Sequence, residues 1–156
     1  MSDKGNVVIR EAHIGDLAAL IAIFAADDKG GHGDTTAPDA FSGYREAFEA
    51  ITASANETLY VAETNGIVVG TFQTTYSRAL PGRGGANLIL EAVQTHPDYR
   101  GKGVGATMVR AAIEEAKKRD CRLVQLMSNA GREDAHRFYE RMGFRQSHLG
   151  FKMKLK

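Results

Sequence analysis

Apolar positions along this chain switch repeatedly between strand spacing and helix spacing, which predicts an alternating α/β unit. Runs rich in branched and aromatic residues predict five strands, over Val7 to Ala12, Thr58 to Glu63, Ile67 to Tyr76, Leu88 to Thr95 and Cys121 to Met127. Apolar residues three and four positions apart predict helices from Leu17 to about Asp27, from Pro38 to about Ala55, from Val104 onward and from Glu133 to Met142. The pattern from Phe144 to Leu155 predicts a last strand or strand pair.

Turns and glycine-rich loops separate these elements. Asn65-Gly66 predicts a tight hairpin, and glycine-rich loops span Lys29 to Ala37 and Ala79 to Ala86. The chain has 156 residues without an internal repeat or a low-complexity linker, a length that suits one domain with its own core. The sequence therefore predicts a single α/β domain over residues 1–156, with a mixed sheet and helices on both of its faces.

The segment from His96 to Gly105 is the most informative for chemistry, because it joins a predicted strand to a predicted helix. It contains Arg100 and three glycines, Gly101, Gly103 and Gly105. Backbone N–H groups and the helix dipole attract anions at the start of a helix, and glycine lets an anion approach closely. Arg100 adds a charge-assisted hydrogen-bond donor. The segment therefore predicts a pocket for a pyrophosphate group.

Two common phosphate-binding loops do not fit this segment. A nucleoside-triphosphate loop needs Ser or Thr after Gly-Lys, whereas Gly101-Lys102 is followed by Gly103. Gly101, Gly103 and Ala106 have the spacing of a dinucleotide-binding turn, but the next predicted strand ends without the acidic residue that such a site requires. We interpret that spacing as accidental.

Two motifs together resemble the GNAT N-acetyltransferases. Arg100-x-x-Gly103-x-Gly105 is similar to the acyl-CoA-binding signature of that family, and Ala135 to Phe144 resembles its late helix, with Ala-x-x-x-Tyr followed by Gly-Phe. The resemblance is most specific from Leu88 to Phe144. It implies a partly splayed central sheet and acetyl-CoA as the acyl donor. It also implies direct transfer to a primary amine, without a metal or a covalent enzyme intermediate.

The resemblance further implies roles for individual residues. Glu91, the only acid in its strand, matches the carboxylate that accepts the proton of the amine, and burial would raise its pKa. Tyr139 matches the tyrosine that protonates the departing CoA thiolate. The structural alternative for Glu91 is a strand-end carboxylate that only pairs with a base. For Tyr139 it is an aromatic residue of the core. The implied cofactor-binding positions are Val93, Gln94, Thr95, Arg100, Gly101, Lys102, Gly103, Val104, Gly105, Ala106, Asn129 and Arg132.

Val93 to Thr95 would act through backbone groups that a splayed neighbouring strand leaves available. At Arg132 the chain departs from the family, since many relatives have Asn there. Arg132 would bind phosphate or replace the hydrogen bond of that Asn, and the nearby Asn129 is the other candidate for the same hydrogen bond.

Charge is distributed unevenly along the chain. Residues 1–96 carry 6 Lys and Arg against 12 Asp and Glu, whereas residues 97–156 carry 14 against 7, which gives −6 and +7. A basic second half suits an anionic cofactor, and an acidic first half suits a small cationic amine near Asp27, Asp28 or Asp34. The alternative is two solvated faces whose charges offset each other. His32, Asp34 and Thr35 lie in the loop expected to shape the acceptor site, although the pattern around His32 favours a simple solvent-exposed loop residue over a functional one.

Other features narrow the functional class. Cys121 is the single cysteine and favours a buried structural thiol over a nucleophile, and no His has metal-ligand spacing with it. No basic stripe is interleaved with aromatic residues, so we expect no nucleic-acid binding. Met1 to Asn6 lacks a signal-peptide pattern, and the longest apolar run, Leu17 to Ala26, is far shorter than the roughly 20 residues that cross a bilayer.

We therefore expect a cytoplasmic enzyme without membrane contact, and the resemblance suggests a homodimer. The alternative from another class is a catalytically silent acyl-CoA-binding sensor or regulatory module, because a fold and its cofactor pocket do not guarantee turnover. The presence of both Glu91 and Tyr139 favours the enzyme.

Overall fold

The computed structural model describes residues 5–27 and 32–156. Its strands are β1 (Val8–Glu11), β2 (Glu57–Thr64), β3 (Ile67–Arg78), β4 (Ala86–Thr95) and β5 (Leu123–Leu126). Its helices are α1 (Leu17–Ala25), α2 (Phe41–Ala53), α3 (Val104–Lys118) and α4 (Glu133–Arg141). The type and order of every element predicted before Phe144 are confirmed, and the observed ends lie within three residues of the predicted ones.

The five strands form one mixed sheet in the order β1-β2-β3-β4-β5. Neighbouring strands from β1 to β4 are antiparallel, whereas β4 and β5 are parallel and joined through α3. Asn65 and Gly66 connect β2 to β3 with φ angles of 49° and 77°. Two successive positive φ angles are typical of the tight hairpin turn predicted there.

Helices cover both faces of the sheet, as predicted. On one face, α3 packs against residues of β2, β3 and β4, and the buried cluster contains Ala62, Val69, Phe72, Leu90, Val104, Met108, Val109 and Ala112. On the other face, Leu17 and Ile21 of α1 and Phe48 of α2 pack against Leu59 of β2. Leu59 and the following Tyr60 belong to different clusters because consecutive side chains of a strand point to opposite faces.

The predicted strand or strand pair over Phe144 to Leu155 is wrong for a single copy of the chain. Residues 144–156 form neither helix nor strand. Phe144 is half-buried against α4, but every residue of the C-terminal segment, defined here as residues 145–156, is exposed. A strand needs a neighbouring edge for its backbone hydrogen bonds, and this segment pairs with none of the strands in the described part of the chain.

Candidate active site

A glycine turn builds the start of α3. Gly103 precedes the helix at a φ of 84° and Gly101 lies at 73°, in the left-handed region that favours glycine. A Cβ atom at either position would meet no atom within 4 Å, so this side of the turn is open. No side chain caps the helix, which leaves the first-turn N–H groups of Val104, Gly105 and Ala106 without an intrahelical acceptor.

Cationic side chains flank this turn. Arg100 and Lys102 are both exposed, and Lys102 Nζ lies 5.2 Å from the ring centroid of Tyr99. The helix behind them is held by Val104, which is buried in the sheet core. An open turn with outward N–H groups, a helix dipole and two cations fits the pyrophosphate of coenzyme A.

A β-bulge interrupts β4 just before the turn. Glu91 pairs with Gln73 and Gln94 pairs with Thr71, so β4 has one residue more than β3 in this stretch. Ala92 takes up the extra residue with a φ of 51°, an unusual value for a residue with a side chain. Because of the bulge, Leu90 and Val93 pack against the same core cluster although they are three positions apart.

The sheet opens at the same place. The parallel ladder between β4 and β5 ends with the pair Leu90 and Leu126. Residues 91–95 of β4 continue along β3 without a partner in β5. One edge of this stretch is therefore available to the backbone amides of a ligand, and the predicted splay of the sheet is confirmed.

Glu91 stands at the start of this opening. Its side chain is exposed, and its Oε2 lies 3.5 Å from the hydroxyl of Thr75. The burial that we expected for Glu91 is therefore not observed, because its side chain points to the face of β4 opposite that of the buried Leu90. The carboxylate is accessible to water, through which a proton from a bound amine would reach it.

Tyr139 lies on α4 between two other aromatic residues. Its ring centroid is 5.1 Å from that of Phe138 and 5.9 Å from that of Phe144. Burial raises the pKa of Tyr139, and the positive charge of Arg132 partly opposes this effect. The phenol therefore remains a protonated donor at neutral pH. The ring packs against the core, so both the predicted core contact and a role for the hydroxyl are compatible with its position.

Arg132 is held by an ion pair that the sequence did not indicate. Its Nη2 lies 2.6 Å from Oδ2 of Asp27, which lies two residues after the end of α1 and is nearly buried. Gln94 Nε2 donates to the same oxygen over 2.8 Å. Asp27 thereby connects the end of α1, the open part of β4 and the residue that precedes α4. Asn129 is used differently, since its Oδ1 accepts a hydrogen bond from the backbone N–H of Gly131.

A cavity of about 340 Å³ lies beside the loop between α1 and α2. It is lined by Ile21, Thr35, Thr36, Ala37, Pro38, Phe41 and Tyr44. The Tyr44 hydroxyl donates to Asp34 Oδ1 over 2.7 Å and accepts from the backbone N–H of Thr35. His32 is exposed outside the lining, whereas Asp28 lies outside the described residues. The loop predicted to shape an acceptor site thus forms one wall of a largely apolar cavity.

Other candidate chemistry has little support. Burial raises the pKa of the Cys121 thiol, which fits a structural thiol rather than a nucleophile. Within residues 5–27 and 32–156, no three His, Cys, Asp or Glu side chains are grouped so that they could hold a metal ion. No helix in those ranges is long and apolar enough to span a membrane.

The sequence pattern of the acetyltransferase (GNAT) family matches residues 12–144. The chain belongs to this family. Its sequence is 34% identical over 111 residues to the aminoalkylphosphonate N-acetyltransferase of Salmonella typhimurium, covering 71% of each protein. Together with the family, this relative identifies the chain as an acetyl-CoA-dependent N-acetyltransferase.

Solved structures confirm the fold of this GNAT protein. A protein of Bacillus halodurans described as a transcriptional regulator has a TM-score of 0.92 and 39% identity, covering 96% of this chain and 100% of that one. A putative acetyltransferase of Agrobacterium tumefaciens has a TM-score of 0.81 and 31% identity, covering 94% and 99%. Both agree with the single-domain α/β architecture predicted from the sequence.

Sequence reasoning missed two features of this GNAT site. The bulge at Ala92 carries no glycine that would mark a positive φ angle. The contact between Asp27 and Arg132 joins residues 105 positions apart, which spacing along the chain does not reveal. The bulge depends on the register between β3 and β4, and the ion pair depends on the packing of the end of α1 beside the start of α4.

Proposed function

We propose that this enzyme transfers the acetyl group of acetyl-CoA to a small primary amine by direct attack in a ternary complex. The observation that carries the proposal is the order of features along β4 and α3. An exposed carboxylate, Glu91, is followed by the bulge at Ala92, the open edge of Val93 to Thr95 and the glycine turn at Gly103. A proton acceptor, backbone partners for a pantetheine chain and an anion site follow one another in the order that the reaction needs.

Each residue has a distinct part in this proposal. Glu91 accepts a proton from the ammonium form of the amine through water, which frees the nitrogen lone pair for attack on the thioester. Tyr139 donates its hydroxyl proton to the departing thiolate. The backbone of Val93, Gln94 and Thr95 holds the pantetheine amides. The segment from Arg100 to Ala106 holds the pyrophosphate.

The ion pair between Arg132 and Asp27 determines the roles that we propose for Arg132 and Asn129. Arg132 is engaged by Asp27 and lies close enough to Tyr139 to oppose the rise in its pKa. We therefore assign Arg132 an indirect part, in which it favours the phenolate left after Tyr139 has given up its proton. Asn129 has its side-chain oxygen in a local turn, and its amide group is the remaining donor toward the cofactor.

The acceptor is proposed to be a small cationic amine. Its apolar part would occupy the cavity beside the loop between α1 and α2, and Asp34, which accepts a hydrogen bond from the cavity-lining Tyr44, supplies negative charge. Asp27 contributes less, because Arg132 balances its charge. The relative from Salmonella is named for aminoalkylphosphonates, which combine an amine with an acidic group. That class is therefore the direct competitor in any test of acceptor charge.

A second function has support from one comparison. The solved relative with 39% identity is described as a transcriptional regulator. The structural match covers all of that chain, so the description does not depend on an additional DNA-binding domain in that structure. A regulatory protein that binds acyl-CoA without turnover is the corresponding candidate here. It predicts cofactor binding without release of free CoA thiol.

Thiol release with a panel of amines separates the two functions, and Glu91→Gln tests the proposed base. We expect Glu91→Gln to keep its affinity for acetyl-CoA and to lower turnover mainly near neutral pH. Partial recovery at alkaline pH is expected because the free amine then forms without help. Glu46→Gln is the matched control: it removes an exposed carboxylate that lies on α2 and should behave as the parent. An equal loss of turnover at every pH would contradict the role of Glu91 as a base and leave it a role in positioning the amine.

We also propose a domain organisation, a cellular location and an oligomeric state for the enzyme. We propose that residues 1–156 act as one domain in the cytoplasm, without nucleic-acid or membrane partners, and that the functional unit is a homodimer. A single cooperative unfolding transition would support the one-domain part. Cell fractionation tests the location.

A further inference from the structure

Arg132 carries its charge at a position where that charge is unfavourable unless another group balances it. It directly precedes α4, so its side chain lies near the positive end of the dipole of that helix. The side chain makes no capping hydrogen bond to the helix. Of the two acids in the first turn of α4, Asp134 pairs with Arg137. The local sequence therefore does not explain what holds a guanidinium at this point.

The balancing charge comes from the other half of the chain. Oδ2 of Asp27 lies 2.6 Å from Nη2 of Arg132, and the two side chains are 10% and 25% exposed. A short hydrogen bond between two largely buried charges is stronger than an exposed ion pair, and removal of either charge leaves the other unbalanced. The pair therefore restricts the positions that the Arg132 side chain can take.

A second contact fixes the carboxylate itself. Nε2 of Gln94 donates to the same oxygen of Asp27 over 2.8 Å. Gln94 lies in the open part of β4, where the strand continues along β3. Arg132 is thus connected through Asp27 to a strand of the sheet.

Tyr139 follows Arg132 by seven positions, which is about two turns along α4 and close to the same side of that helix. The aromatic neighbours of Tyr139 and the core against which it packs are apolar. Among the described residues, Arg132 is the charged group that influences the pKa of Tyr139, and its positive charge lowers that pKa against the effect of burial. A guanidinium fixed near the phenol therefore stabilises the phenolate that proton donation leaves behind.

We propose that Asp27 is a positioning residue of the transferase, which holds the Arg132 guanidinium near Tyr139 while the phenol gives its proton to the departing thiolate. The proton passes from the phenol oxygen to the sulfur of CoA, and the phenolate regains a proton from water afterwards. Asp27 does not touch the reacting atoms and acts through Arg132. This inference rests on the proposed role of Tyr139 as the general acid and adds the residue that fixes its electrostatic surroundings.

Asp27→Asn tests the proposal, because the amide oxygen still accepts from Gln94 while the charge that holds the guanidinium is removed. We expect kcat to fall by about 5- to 20-fold with little change in KM, since the phenolate forms only as the thiolate leaves. Asp27→Glu keeps the charge and should recover most of this loss. The matched control, Glu115→Gln, breaks another partly buried ion pair, that with Arg119 at the end of α3, and should leave kcat unchanged.

The ionisation of the phenol can be measured without turnover. Tyr139 is replaced by 3-fluorotyrosine, whose phenol ionises at a lower pH than that of tyrosine, and its pKa is followed by fluorine NMR in the full-length protein. Asp27→Asn should raise this pKa by about half a unit or more, because the released guanidinium no longer favours the phenolate. If Asp27 acted only as a counter-charge, Arg132 would stay in place with its charge unbalanced, and the pKa would fall. A fall or an unchanged pKa would overturn the proposal.

A double-mutant cycle tests whether the effect passes through Arg132. Arg132→Gln alone should lower kcat and raise the pKa of the phenol, and adding Asp27→Asn to it should change neither value further. Additive effects would reject the proposal. Circular dichroism and thermal unfolding separate a loss of fold from a loss of positioning. Should Asp27→Asn not fold, Arg132→Gln carries the test, and an unchanged pKa in that variant would equally overturn the proposal.

The two proposals fail in different ways. A parent protein that releases no CoA thiol with any amine would reject the proposed function, while the fluorine titration would still show whether Asp27 holds Arg132 near Tyr139. An active parent whose phenol does not respond to Asp27→Asn would reject the positioning role alone.

Discussion

A single hydroxyl distinguishes Tyr139 from a purely structural aromatic residue. Tyr139→Phe keeps the ring and its packing against Phe138 and Phe144, so stability should change little. Loss of a general acid predicts a fall in kcat of roughly 100-fold. Tyr60→Phe removes the hydroxyl of another half-buried tyrosine outside the site and should leave kcat unchanged. A kcat within about twofold of the parent for Tyr139→Phe would return this residue to the core.

We expect the Asp16 carboxylate to contribute to the acid stability of the protein. Its carboxylate accepts two hydrogen bonds from Arg10, at 2.8 and 2.9 Å, and one from the backbone of His13. The hydrogen bonds from Arg10 lower the pKa of Asp16 more than its burial raises it. A lowered pKa means that the pair stabilises the fold above the unfolded value of about 4 and loses this effect as pH falls through the folded pKa.

The corresponding variant is Asp16→Asn. We expect its free energy of unfolding at pH 7 to fall by about 2–3 kcal/mol, because Arg10 is partly exposed and water screens the charge it is left with. Chemical denaturation should show this difference shrinking toward pH 3. Glu49→Gln breaks the exposed pair with Arg45 and should cost less than about 1 kcal/mol. A difference that is constant with pH would contradict the ionic role of Asp16.

At the scale of elements, the glycine turn before α3 is a separable unit. Gly103→Val places a branched side chain at a φ of 84° and on the open side of the turn. We expect a loss of about 1–2 kcal/mol in stability from the backbone and at least a tenfold loss of CoA affinity from the blocked N–H groups. Titration calorimetry with CoA measures the affinity.

The hairpin supplies a matched control for this change. Gly66 has a φ of 77° with equally open space around it, but it lies between β2 and β3. Gly66→Val should therefore show a similar loss of stability and unchanged CoA affinity. If both variants bind CoA as the parent does, the helix start is not the anion site.

Most elements could be predicted from the sequence because their signals are local. The spacing of apolar residues predicted α3, the Asn65-Gly66 pair predicted the hairpin turn, and the glycines predicted the turn before α3 at Gly103. The bulge at Ala92 could not be predicted, since it depends on the register between β3 and β4 rather than on the residue itself. The last predicted strand failed for a related reason, because a strand pattern states a need for a partner without saying where that partner is.

At the scale of the whole molecule, an ion pair between Asp27 and Arg132 connects the acidic residues 1–96 with the basic residues 97–156. If negative charge near Asp34 selects the acceptor, polyamines should be preferred over aminoalkylphosphonates and zwitterionic amino acids. Salt screens charges within about 10 Å at 0.1 M, so added salt should raise KM more for a cation than for a neutral amine of similar size. Initial rates with saturating acetyl-CoA at two salt concentrations measure both effects. Preference for an acidic acceptor would reject the charge selection and leave the acetyltransferase itself unaffected.

The open edge of β4 also determines which substitutions the chain can tolerate. Val93 packs into the core, Gln94 holds Asp27, and the main chain of the same stretch faces the gap beside β5. In the proposed complex with acetyl-CoA, side chain and main chain therefore serve different partners at the same positions. A recognition surface made of backbone does not depend on the identity of its side chains. Substitutions at Val93 and Gln94 are therefore limited by the stability of the core and by the contact with Asp27 after α1. The open backbone edge of β4 itself remains through such changes.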